Sequence, residues 1–222
     1  MTLDLDILAT HVAAAIAARE AELKLEQAVY GLDALDELPL QSVVADGLAA
    51  HYCVAREVHY PSTVGRKLSS RRRCDVVLSP AGSPLRLDSA PPTLFDAPVF
   101  TLPADAFWLE VKAAFQFRSV DVPHKGYGQQ WRGAVVEDLR KMDADPLIRH
   151  AALLLIVFTE SREVVEKDLD LLEDVLARKE VLAGFRQVRH VEIVERMGHR
   201  VCTVAIWPTI ERGVQGDPSA AS

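Results

Sequence analysis

The triplet Glu110-Val111-Lys112 lies inside an apolar stretch, Phe107 to Phe115, and 35 residues earlier Asp75 stands in Cys74-Asp75-Val76-Val77-Leu78. A strand turns alternate side chains to one face, so Glu110 and Lys112 project together while Leu109 and Val111 enter a core on the other side. Two carboxylates and an amine at the ends of neighbouring strands can hold a hard cation through oxygen and set a water beside it. The chemistry this suggests is metal-assisted hydrolysis of a phosphodiester. Lys112 beside such an ion would lose proton affinity through like-charge repulsion and partial desolvation, and could orient water or steady a phosphate. Without the ion, Asp75 and Glu110 would repel each other and one pKa would rise. The plain alternatives are a surface ion pair for Glu110 and Lys112, and an edge-strand carboxylate paired with Arg73 for Asp75.

The formal charge of −7 is unevenly spread. Residues 1–59 carry three Lys/Arg against ten Asp/Glu, residues 60–141 twelve against eight, and residues 142–222 ten against fourteen. The positive middle third therefore contains the candidate site. Arg71, Arg72 and Arg73 lead directly into Asp75, and such a bias can attract a phosphate backbone even on an acidic protein, although a solvated loop would also carry it. After Lys112, the run His124 to Arg132 offers Lys125 and Arg132 to phosphates, Tyr127 to a stacked base, and the amide of Gln130. Trp131 reads better as a core anchor. Asp138 and Lys141 make an i, i+3 pair that needs no function. The histidines lack the His-Glu-X-X-His spacing, and no Gly-X-Ser-X-Gly elbow or Walker-type loop is present.

The elements that must position these residues follow from periodicity. Leu3 to Val29 predicts a long amphipathic helix through Ile7, Leu8, Val12, Ile16, Leu23 and Val29, and Leu38 to Tyr52 a second. Strands are expected over Val54–Tyr60, Arg73–Leu78 and Ala106–Phe115. Between the last two, Ser79 to Asp105 contains six of the twelve prolines and must loop out for the strands to stay adjacent. A loop over Gln116–Trp131, a helix over Trp131–Met142, a buried parallel strand over Ala151–Phe158 and a helix over Glu163–Leu182 come next. Two closing strands, Gln187–Glu195 and Arg200–Trp207, flank a turn at Gly198. The order predicts an α/β fold with a mixed central sheet flanked by helices. Residues 1–37 are expected as an N-terminal helical arm, 38–212 as the main domain and 213–222 as a disordered tail. The first helices can cap the domain or form a seam with a second copy or a partner protein.

At 49% hydrophobic and 26% charged the chain reads as a folded cytoplasmic protein, with no membrane span and, given Asp4 and Asp6, no basic leader. Three scattered cysteines make neither a disulfide framework nor a thiolate zinc site.

Asp75 on the second strand, Glu110-Val111-Lys112 on the third and a helix before the first resemble the PD-(D/E)XK nuclease superfamily, the restriction-endonuclease-like fold, over about residues 38–160. Cys74 stands where the family's motif has proline. The resemblance implies Asp75 and Glu110 as acidic metal ligands, the Val111 carbonyl as a further ligand and Lys112 as the catalytic lysine. An acid from the preceding helix often completes such sites; Glu37, Asp46 and Gln41 compete for that place, and Glu57 is another contributor. It implies a magnesium-dependent nuclease, with manganese substituting, acting on DNA within a restriction, repair or phage-defence system. The competing expectation is a catalytically silent module of the same fold that binds nucleic acid or partner proteins.

Overall fold

The computed structural model describes residues 1–63, 72–87, 100–120 and 122–210, with the Gln130 side chain left out. Expectations for Arg71, Pro91, Pro92, Pro98, the Gln130 amide and the tail 213–222 lie outside what is described. Helix α1 (Leu5–Leu25) begins where the Asp4 carboxylate accepts the N–H groups of Asp6 and Ile7, and it buries Leu8, Val12, Ile16 and Leu23 along one stripe. Helix α2 (Glu37–Ala49) buries Leu40, Val44 and Leu48. The two helices approach so closely that a side chain at Gly47 would run into the Ala15 methyl.

Strand β1 (Tyr52–His59) and β2 (Arg73–Pro80) form an antiparallel pair, followed by β3 (Phe107–Phe115), a small hairpin of β4 (Phe117–Ser119) and β5 (Val122–Pro123), and helix α3 (Tyr127–Asp143). The chain ends in β6 (His150–Thr159), α4 (Arg162–Arg178), β7 (Gln187–Glu192) and β8 (Val201–Pro208). The six long strands lie in the order β1-β2-β3-β6-β8-β7, with β3 and β6 parallel and every other pair antiparallel. This is the expected α/β class with a mixed sheet. Leu8, Val12, Leu40 and Val44 pack with Val76, Leu109, Val111, Ile156 and Val204 on one face. On the other, Trp131, Val135, Leu139, Leu169 and Leu172 pack with Val77, Trp108, Leu153, Leu155 and Trp207.

Several boundaries differ from expectation. Helix α1 ends at Leu25, leaving Val29 outside it and exposed, Ile7 is exposed within it, and residues 1–37 do not stand away as an arm because the α1 stripe is spent on the chain's own sheet. That apolar face caps the domain rather than waiting for a second copy. Helix α3 starts four residues before Trp131, preceded by Gly126 at φ 83°, a left-handed turn that periodicity does not reveal. Among the described residues no helix is long and apolar enough to cross a membrane.

Two features of the sheet place the site. The described ends of the proline-rich insertion zip together through Leu85 and Thr101, with Ser83 bonded to Thr101, so β2 and β3 remain neighbours. Their ladder is short: Leu78 faces Phe107, Val77 faces Trp108 and Val76 faces Leu109, and there it stops. Pairing of β3 with β6 continues to Phe115. Beyond Leu109 the sheet therefore forks, and Asp75 is the first residue of β2 inside the fork.

Candidate active site

Asp75 bridges the fork with its side chain. Its Oδ2 accepts the Val111 N–H at 2.8 Å, in place of a strand carbonyl. The N–H and C=O of one strand residue point to the same side, so the Val111 carbonyl opens toward the fork as well. Asp75 is not on an edge strand paired with Arg73; β1 lies outside β2, and Arg73 faces Glu57 at 3.8 Å.

Glu110 and Lys112 project from β3 toward α3, as strand alternation requires. Glu110 is 1% exposed, and its Oε1 accepts from the Tyr60 hydroxyl at 2.5 Å and from Lys141 Nζ at 2.6 Å. Burial, and then the Asp75 charge, push its pKa up to about 7 despite Lys141 and Tyr60. The repulsion expected between the two acids is thus present, second to desolvation. Lys112 Nζ lies 3.2 Å from Glu37 Oε1 and 3.3 Å from Asp138 Oδ2. Burial alone would lower its pKa, but Asp138, Glu37 and Asp75 outweigh it and raise it. Without a metal this amine gains proton affinity, opposite to the loss expected beside an ion. Lys141 also reaches Asp138 Oδ1 at 2.9 Å, and its ammonium lies 5.3 Å from the centre of the Tyr60 ring.

Glu37, the first residue of α2, is the helix acid that enters the site: its Oε2 also accepts the Ala113 N–H at 3.3 Å. Asp46 sits nine residues further along α2 and is exposed, and Gln41 is buried one turn beyond Glu37. Glu57 is committed to Arg73. Tyr60, Asp138 and Lys141 were not singled out for chemistry. The signal for the last two lay in spacing: Tyr127, Trp131, Ala134, Asp138 and Lys141 recur every three or four residues, one continuous stripe of α3. That stripe runs along β3, with Tyr127 and Trp131 near Ala114 and Lys141 against Glu110.

The expected nucleic-acid contacts separate into two groups. Arg72 is exposed and, with Tyr60, Ser62 and Lys141, lines a hollow of about 350 Å³; beside it Arg72, Arg73, Arg140 and Lys141 line a cleft of about 690 Å³. Lys125 is exposed. Arg132, in contrast, is held by Asp168 at 3.0 Å with both side chains largely buried, which ties α3 to α4 and removes it as a phosphate contact. Trp131 is a core residue, as expected.

Four carboxyl groups (Glu37, Asp75, Glu110, Asp138) and two ammonium groups (Lys112, Lys141) meet at the fork, so that with Glu110 deprotonated the cluster carries two negative charges in excess, the charge of one divalent cation. The bonds above use Oδ2 of Asp75 and Oε1 of Glu110, and the Val111 carbonyl takes the Lys112 ammonium at 3.5 Å; the second oxygen of each carboxyl and that carbonyl are the oxygens a hard ion would draw on. Among the described residues no three of His, Cys, Asp and Glu are arranged as ready-made ligands. Magnesium is satisfied by one or two carboxylates and completes its shell with water and phosphate oxygen, so the residues fit. Compared with protein families, curated proteins and solved structures, the chain matches none of them.

Proposed function

We propose that the chain is a divalent-metal-dependent nuclease of the PD-(D/E)XK type, with a restriction-endonuclease-like fold, that hydrolyses phosphodiester bonds in DNA. The observation that carries this is the convergence of Asp75, Glu110 and Lys112, with Glu37, at the point where β2 parts from β3. Asp75, Glu110 and the Val111 carbonyl would hold magnesium, for which manganese substitutes. The bound ion supplies a lowered water pKa and compensation for charge growing on phosphorus. Lys112, fixed by Glu37 and Asp138, orients the attacking water and steadies a non-bridging phosphate oxygen. Asp138 sets both amines at once, holding Lys112 through Oδ2 and Lys141 through Oδ1. Arg72 and Arg73 line the approach and meet the backbone on either side of the scissile bond.

The purified protein is expected to nick or degrade DNA in magnesium but not in chelator. Lys112→Ala should lose at least about a hundredfold in rate, the scale of one removed charge-stabilising donor, while melting as a folded protein. Magnesium-independent behaviour, or a fully active Lys112→Ala, would overturn the assignment. One observation favours the second reading, a silent nuclease-fold module that binds nucleic acid or partners: Lys141 already occupies Glu110 where a cation would sit. Gel shift without cleavage would select it.

A further inference from the structure

We propose that the hollow beside Lys112 is a nucleobase subsite, which makes the substrate single-stranded or locally unpaired nucleic acid. The identity of the ligand rests on the nuclease reading above. The hollow has a volume of about 270 Å³ and lies on the stretch of β3 beyond the fork, where no β2 ladder covers the strand. Its floor is the Ala113–Ala114 stretch of β3, where only the small Ala114 methyl turns to the α3 side and leaves the space open, and its wall is the Tyr127 and Trp131 rings, 6.2 Å apart and inclined at 54°. Ala134 completes the wall one turn further along α3.

Three features point to a base rather than to unfilled core. The hollow shares Glu37 and Lys112 with the candidate catalytic group, so it lies within reach of a nucleotide whose phosphate is held at Lys112. Its lining is mainly apolar and aromatic, with Glu37, Lys112 and His124 as charged or polar side chains and the Tyr127 hydroxyl and Trp131 indole N–H buried, which suits a flat heteroaromatic ring with polar edges. Trp131 belongs to the core, whereas Tyr127 and Ala134 are only half-buried and line the hollow beside it. Glu37 already accepts from Lys112 and from the Ala113 N–H, and the aromatic wall offers stacking and shape, a mode of recognition that tolerates any base. A base can enter only when it is out of a duplex stack, which sets the substrate class.

The test uses the full chain in chelator, so that cleavage cannot occur. A short single-stranded oligonucleotide carrying 2-aminopurine should be quenched on binding and bind roughly tenfold more tightly than a duplex of the same sequence, as stacking of one base provides. Ala134→Leu, which fills the hollow with a good helix former, should abolish the quenching and the preference while duplex affinity and melting temperature hold. Tyr127→Ala should remove the quenching as well, should the first variant fail to fold. Equal affinity for the two forms, no binding, or full quenching by a folded variant overturns the subsite. A protein that prefers the unpaired strand yet cleaves nothing in magnesium sinks the nuclease reading alone; one that cleaves DNA without this preference sinks only the subsite.

Discussion

Glu110 is the residue on which most forces act, and its protonation links the site to stability. Its pKa stands at about 7 in the folded protein against an ordinary 4.5, because burial and Asp75 both disfavour its charge. A raised carboxyl binds more protons in the native than in the unfolded chain between those two values, so its contribution to stability is full below pH 4.5 and is lost as pH rises to about 7. The loss is of order 3 kcal/mol at most. Glu110→Gln keeps an acceptor for Tyr60 and Lys141 but removes the titration. In chelator, the variant should gain on the parent protein across this window and not below it, as denaturant midpoints at acid and neutral pH would reveal. Parallel pH profiles for the two proteins would contradict the assigned burial. Asp75, Glu110 and Lys112 were legible in the sequence because strand alternation is local. Lys141 was not, since its i, i+3 pair with Asp138 is complete within the helix and gives no hint of a second partner on β3.

At the scale of elements, β3 and α3 form the working unit, one presenting the acid and amine, the other the stripe that fixes them. Periodicity located β2, β3, β6, α3 and α4 to within a few residues. It misplaced the start of α3, where Gly126 and Gly128 read as a loop although the left-handed Gly126 launches the helix. It also could not say whether α1 covers its own sheet, because an amphipathic face serves either a domain or a dimer. The position of α3 depends on Arg132, whose pairing with Asp168 replaces the phosphate contact suggested by its charge. Arg132→Ala strands a largely buried carboxylate and should cost about 1–3 kcal/mol in chemical denaturation. Its effect on nucleic-acid affinity should be negligible, whereas Arg72→Ala weakens binding across all sequences. The reverse pattern would place the groove on the α4 side of the molecule.

For the whole molecule, the decisive quantity is local rather than net charge. An acidic protein of formal charge −7 collects Arg72, Arg73 and Arg140 around one cleft that also holds Glu137, beside the fork cluster in which Lys141 is paired with Glu110 and Asp138. On the proposed reading the cations attract a polyanion and the acidic cluster a divalent ion, which lets a phosphate approach the carboxylates. Composition alone gives the opposite impression, because the acidic N- and C-terminal thirds mask the positive middle. The most direct test is a crystal soaked in manganese. An anomalous peak about 2 Å from an oxygen of Asp75, an oxygen of Glu110 and the Val111 carbonyl, with Lys141 withdrawn from Glu110, is the result predicted. A fork without a peak, and Lys141 still seated on Glu110 at saturating manganese, would contradict a metal-dependent mechanism.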